Sequence, residues 1–346
     1  MAEVVRDRVS EKWTFMVPMG NVVLHEDVGQ EFKVDRVTFV QRDRLPPEVN
    51  KPSRLLDSFK LADTFAVVRE PGTKDKVERR CLQLVREESS LLTLSQLGFA
   101  KRRQMRPIVP VSEVSIPFSI PFRAVSSLGE FGKFFVTTPP VVALGLDGRW
   151  EHYQNHVFFT NLLQILRQET NVEASWRNDL RRASLMVGES IGASDLLKSF
   201  IWDWVALETL LTHRREMGTG KTVPKRVSAL LYWVFYSARE DDKEKTQEVY
   251  DRMTKMHDDR IRDVYKKRNG LLHNGERDGI ADRDLEFTDH LLLNILTNLV
   301  RFPRLFHSKA AVTKFADEIE KDRSEGASPR ERPANFMFVG RLDTGF

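Results

Sequence analysis

Val264-Tyr-Lys-Lys-Arg-Asn-Gly-Leu-Leu-His-Asn-Gly275 is the stretch from which the fold of the C-terminal half can be read. At about 100° per residue, Ile261, Val264, Tyr265, Leu271 and Leu272 fall on one side of a helix. Asn274-Gly275 ends that helix, because either residue tolerates the left-handed backbone of a helix stop. Arg268 lies in the middle of the apolar side. Asn269 and His273, four residues apart, share the neighbouring side. His273 falls in the last turn, where the helix dipole favours an imidazolium.

A charge on an apolar face needs a partner, since desolvation costs several kcal/mol per ion and only a close counter-charge offsets it. A second helix, beginning with Ser194 as cap and Asp195 in its first turn and running to about His213, offers one. Its apolar side is Leu197, Ile201, Trp204 and Leu211, with Glu208 in the middle. The expected pair is Glu208–Arg268, either as an ion pair that only holds a helical bundle together or as the support of a chemical site. An arginine beside a histidine suits phosphate-ester chemistry. The guanidinium holds a phosphate oxygen and the imidazole moves a proton, and neither step needs a metal or a cofactor.

Around this pair the hydrophobic period divides the chain. Residues 1–150 read as strand-rich, with alternation over Trp13–Val17, Phe32–Val40, Ser58–Val68, Arg80–Val85 and Ile108–Phe122. Pro107, Pro110, Pro117 and Pro121 mark the last of these as an edge or crossing segment, and Phe134-Phe-Val-Thr-Thr follows. Residues 151–307 read as helical: His156–Glu169, Trp176–Glu189, Ser194–His213, Pro224 to about Arg239, Asp241–His273 with a possible break at Met256–Asp259, and Asp282–Arg301. Residues 308–346 add a helix to about Asp322, a polar linker from Ser324 to Pro333 and a terminal strand at Phe336–Val339. The fold class is α+β: a β-rich N-terminal domain followed by an all-α bundle.

Composition narrows the function classes. The 346 residues are 41% hydrophobic and 30% charged, as in an ordinary globular protein, and suffice for two domains. The lone Cys81 excludes an internal disulfide framework and a cysteine zinc cluster. No apolar signal core follows Met1 and no run reaches spanning length, so the chain reads as cytoplasmic with no membrane partner. A net charge of +4 permits nucleic-acid binding without requiring it.

Two stretches, Phe200-Ile-Trp-Asp-Trp-Val-Ala-Leu-Glu-Thr-Leu-Leu211 and Val264–Gly275, resemble the HEPN superfamily, and within it the ApeA-like HEPN domains of bacterial defence proteins. The first is similar to the family's aromatic and Leu-Glu-x-Leu-Leu helix, the second to its Arg-polar-x3-His signature with Asn269 in the polar slot. The resemblance spans roughly residues 176–305. It implies an all-α bundle that dimerises and brings two such motifs to one cleft, and a metal-independent endoribonuclease acting as a defence or toxin effector. In that chemistry the RNA 2′-hydroxyl attacks the adjacent phosphorus and leaves a 2′,3′-cyclic phosphate. The implied catalytic set is Arg268 on the scissile phosphate, His273 as general acid or base and Asn269 orienting one of them, with Glu208 in support and Lys266 and Lys267 as contacts to the RNA backbone. The implied partners are tRNA or single-stranded RNA, a second copy of the chain, and a phage-derived trigger or neutralising protein. A second class stays open: a non-catalytic HEPN module that binds RNA or a protein partner.

Other motifs carry less. Gly218-Thr-Gly-Lys-Thr222 has Arg215 where a phosphate-binding loop needs its first glycine, and it follows a helix instead of a strand, so it reads as a helix–helix connection. His152 and His156 have the spacing of a metal pair but neither the intervening glutamate nor an evident third ligand. Lys101-Arg-Arg and Lys266-Lys-Arg268 read as solvated basic runs.

Overall fold

The computed structural model describes residues 12–25, 31–45, 62–71, 74–98, 102–111, 120–125, 131–136, 144–146, 157–193, 195–213, 216, 219–231, 243–277 and 279–326. The chain forms two compact units. The first comprises Met1–Thr93 and Arg103–Trp150, the second Leu94–Arg102 and Glu151–Phe346. The architecture is α+β, with strands gathered in the first unit and most helices in the second.

In the first unit, β1 (Lys12–Gly20), β3 (Phe32–Lys33), β4 (Thr38–Gln41), β5 (Thr64–Pro71) and β6 (Val109–Pro110) form a sheet in the order β3-β4-β5-β1-β6. Every pairing in it is antiparallel, with Phe15 opposite Val68 and Phe39 opposite Ala66. Phe39 and Phe65 are fully buried. Pro110 sits in the edge strand β6, where a missing N–H leaves no central ladder bond unmade. Two small pairs lie outside this sheet: β2 (Val22–Leu24) with β9 (Leu144–Leu146) in parallel, and β7 (Ile120–Val125) with β8 (Phe131–Val136) in antiparallel.

Two strand expectations fail here. Phe32–Val40 is not one strand but a hairpin, turned at Val34–Val37 so that Phe32 faces Phe39. Both strands present an aromatic to the core, which looks like one continuous alternation along the sequence. Arg80–Val85 is helical and belongs to α1 (Lys74–Leu94). Cys81, Leu84, Val85, Glu88, Leu91 and Leu92 are among its buried residues, a helical period that a six-residue window cannot distinguish from alternation. Arg36, in the β3–β4 turn, holds this helix through Glu87 at 3.0 Å and Glu88 at 3.6 Å.

The second unit contains α2 (Val157–Leu166), α3 (Ala174–Gly192), α4 (Leu196–Leu211), α5 (Thr219–Leu231), α6 (Lys243–Asn274), α7 (Asp282–Arg301) and α8 (Lys309–Ser324). The helix α4 packs against α3, α5, α6, α7 and α8, which makes it the centre of the bundle. It is capped by Asp195, whose carboxylate accepts the Leu197 N–H at 2.8 Å; the expected cap, Ser194, lies outside the described residues. The helix α6 runs unbroken through Met256–Asp259, because Thr254, His257, Ile261, Val264 and Tyr265 keep one buried stripe across that point. It stops at Gly275, with φ of 69°, as Asn274-Gly275 implied. The helix α5 starts at Thr219, five residues before Pro224, so Thr219-Gly-Lys-Thr222 is its first turn and not a connection.

The His152–His156 pair, the α5 extension to Arg239 and the terminal strand lie outside the described residues. No described helix is long and apolar enough to cross a membrane. Replacing Asp195 by alanine removes a single cap bond on the central helix. A loss of about 1 kcal/mol is expected, measured by chemical denaturation of the full chain; an unchanged midpoint would show that α4 does not depend on this cap.

Candidate functional site

On α6, Arg268 ends the stripe that begins at Thr254 and His257, and its side chain keeps 11% exposure. Its Nη2 donates to Glu208 Oε2 at 2.5 Å and its Nη1 to Asn269 Oδ1 at 2.9 Å. Its Nε, also buried, finds no hydrogen-bond partner among the described residues. The expected Glu208–Arg268 pair is therefore present.

Tyr265, one helical turn before Arg268, shapes both partners. Its hydroxyl donates to Glu208 Oε1 at 2.9 Å, and the Arg268 guanidinium lies over its ring, 5.5 Å from the centroid. Its ring meets that of Trp204 on α4 edge-on at 5.1 Å. Glu208 thus has one oxygen on a phenol and the other on a guanidinium. The aromatic contact and the cation–π contact each add about 0.5–1.5 kcal/mol to holding that arrangement. The sequence placed Tyr265 only as core; it is also the residue that fixes the glutamate's orientation.

The position of Glu208 needs correction. The buried residues of α4 are Ser199, Phe200, Asp203, Trp204, Ala206, Leu207, Leu210 and Leu211, while Leu197 and Ile201 are half-buried. Glu208 is one residue, hence about 100°, round from Leu207 at the centre of that face, and its side chain keeps 21% exposure. The charge within the buried face is Asp203, at 0% exposure. The signal for it was present: Asp203 is three residues after Phe200 and four before Leu207, all on one face.

The counter-charge of Asp203 is Arg102, placed by the three-residue turn Arg102–Gln104 at the end of the Leu94–Arg102 segment. Its Nη2 contacts Asp203 Oδ2, Asp289 Oδ1 on α7 at 2.9 Å and Ser190 Oγ on α3 at 2.9 Å. Ser190 and Ser199 then exchange hydroxyl-to-carbonyl bonds of 3.0 and 2.8 Å between α3 and α4. Burial pushes the Asp203 carboxyl above the ordinary carboxylate value, against the pull of Arg102 and of Ser190. Burial also disfavours the charge on Arg102, and the two carboxylates more than restore it. Arg102 was read as part of a solvated basic run; no local pattern could show that a partner about a hundred residues away buries it.

The remaining site residues divide. His273 is exposed in the last turn of α6, and five residues set it about 140° round the helix from Arg268. Within one chain the two side chains therefore leave α6 in different directions. Asn269 touches Arg268, and its Nδ2 faces Gly220 in the first turn of α5. Lys266 is exposed. Lys267 Nζ donates to both oxygens of the buried Asp284 at 3.2 and 3.1 Å. Asp284 also receives Arg260 Nη2 at 2.6 Å and reaches back to the Ala281 N–H at 2.9 Å, fixing the start of α7 to α6. Elsewhere a cavity of about 540 Å³ is lined by His213, Arg226, Thr313 and Asp317. Its arginine is already held by both Asp317 oxygens, by Glu216 and by the Leu211 carbonyl.

No protein-family model, no curated protein and no solved structure matches the chain.

The geometry makes Arg268 and Glu208 energetically dependent on each other. In a double-mutant cycle of Glu208→Gln and Arg268→Met, read by chemical denaturation, a coupling of about 1–2 kcal/mol is expected. Additive effects would mean the pair contributes nothing to stability.

Proposed function

We propose that the chain is a metal-independent endoribonuclease of HEPN type, a defence or toxin effector acting on cellular or phage RNA. The observation that carries this reading is Arg268, a guanidinium held by Glu208 and Asn269 on the helix whose last turn presents an exposed His273. Arg268 steadies the scissile phosphate through its remaining N–H groups. The RNA 2′-oxygen attacks the adjacent phosphorus, and the bond from phosphorus to the 5′-oxygen breaks. One proton leaves the 2′-oxygen and one reaches the 5′-oxygen, giving a 2′,3′-cyclic phosphate and a 5′-hydroxyl. His273 moves one of these protons. Asn269 acts on Arg268, orienting it, and Lys266 contacts the RNA backbone.

The separation of about 140° between Arg268 and His273 on one helix favours a site completed by a second copy across a twofold axis, where the histidine of one chain serves the arginine of its partner. The N-terminal unit would sense a trigger or select the RNA, in a cytoplasmic setting. A second reading, a non-catalytic module that binds RNA or a protein partner, is favoured by one observation: Arg268 already has a carboxylate partner, so a phosphate must share it with Glu208.

The test is cleavage of tRNA and single-stranded RNA by the purified chain in EDTA, with analysis of the product ends. Cyclic phosphate and 5′-hydroxyl ends are expected, lost in His273→Ala, and overexpression is expected to be toxic for the wild type and harmless for Arg268→Ala. RNA binding without cleavage would overturn the catalytic reading in favour of the binding module. A monomer that cleaves would overturn the composite site.

A further inference from the structure

The buried charge cluster around Arg102 lies outside the site just described, yet it is joined to that site by one helix. The chain leaves the first unit after Thr93, contributes Leu94–Arg102 to the helical unit and returns to the first unit at Arg103. Ser95, Gln96, Leu97 and Gly98 are buried, and the segment ends in Arg102, with 10% of its side chain exposed. We propose that Arg102 is a positioning residue for the Arg268 site, acting through α4. The inference rests on the proposed ribonuclease reading only for its activity consequence.

The argument is electrostatic first. Asp203 on α4 and Asp289 on α7 are 0% and 7% exposed, and both face the same Arg102 nitrogen. Removing the Arg102 guanidinium would take the cation from the fully buried Asp203 and one contact from Asp289. The helix α4 would then have to shift, admit water or take up a proton. The position of α4 in the bundle therefore depends on Arg102.

The second step is mechanical. Trp204 follows Asp203 on α4, and its ring packs on Tyr265 at 5.1 Å. Tyr265 holds Glu208 by its hydroxyl and Arg268 by its ring. Glu208, five residues and about 7.5 Å along the same helix from Asp203, grips Arg268 directly. A shift of α4 relative to α6 thus disturbs both holds on Arg268 together. Each link from Arg102 to Arg268 is a packed or hydrogen-bonded contact. Arg102 itself touches no residue of the Arg268 site, so its effect passes through α4.

The experiment uses the full chain and hydrogen exchange of the wild type, Arg102→Met and Arg102→Lys. In Arg102→Met, exchange is expected to rise about tenfold in peptides covering α4 and residues 257–274 of α6, with β1 and β5 unchanged. Arg102→Lys, which keeps the charge, should fall between the two. Exchange that rises only in residues 94–102, with 257–274 as in the wild type, would overturn the proposal and reduce Arg102 to a local anchor. If Arg102→Met does not fold, Arg102→Lys decides alone: unchanged exchange at 257–274 refutes the coupling. In the cleavage assay both variants should lose kcat, about tenfold or more for Arg102→Met, with KM for RNA unchanged. A wild type that cuts no RNA would refute the ribonuclease reading and leave the exchange result to judge the role of Arg102.

Discussion

Burying Asp203 in the middle of α4 obliges the helical unit to bring a cation to it, and the cation comes from outside the run of consecutive helices. Arg102 fulfils that need, gathers Asp289 of α7 and Ser190 of α3 onto the same nitrogen, and so ties three helices at one point. The central helix contacts five others, so whatever fixes α4 fixes the bundle. A hydrophobic face alone would fill the interior without choosing among rotations of α4. A buried acid with a single cationic partner selects one, because every other rotation leaves a charge unpaired.

The same logic operates at the Arg268 end of the bundle in milder form. Glu208 and Arg268 keep 21% and 11% exposure, so water screens part of their interaction, and the aromatic pair Trp204–Tyr265 supplies the rest of the restraint. The outcome is a guanidinium of fixed direction, held by Glu208, Asn269 and the Tyr265 ring. The exposed His273 is not restrained in the same way. Asp284, holding both Arg260 and Lys267, keeps the C-terminal half of α6 against α7.

Sequence reading succeeded where one face of one element carries the information. The α6 stripe, its stop at Gly275, the extent of α7 and the Glu208–Arg268 pair all follow from periodicity and the cost of a lone buried charge. It failed where a short window was ambiguous, as at Arg80–Val85, which belongs to a helix with Leu91 and Leu92, and at Phe32–Val40, where two strands of a hairpin imitate one. It also misjudged a basic run. Lys101-Arg-Arg contains Arg102, which the fold buries against Asp203 on α4.

What the sequence by itself determined is local: the helical second half, the charges that had to be paired, and the arginine, asparagine and histidine carried by one helix end. Glu208 and Arg268 apart, only the tertiary structure decided which acid meets which base. The reason is physical. A carboxylate's partner is set by which groups become close when solvent is excluded, and that closeness is a property of packed helices, not of spacing along a chain. Asp203 found Arg102 across about a hundred residues, Lys267 was drawn from solvent to Asp284, and Tyr265 became the hinge between Glu208 and Arg268.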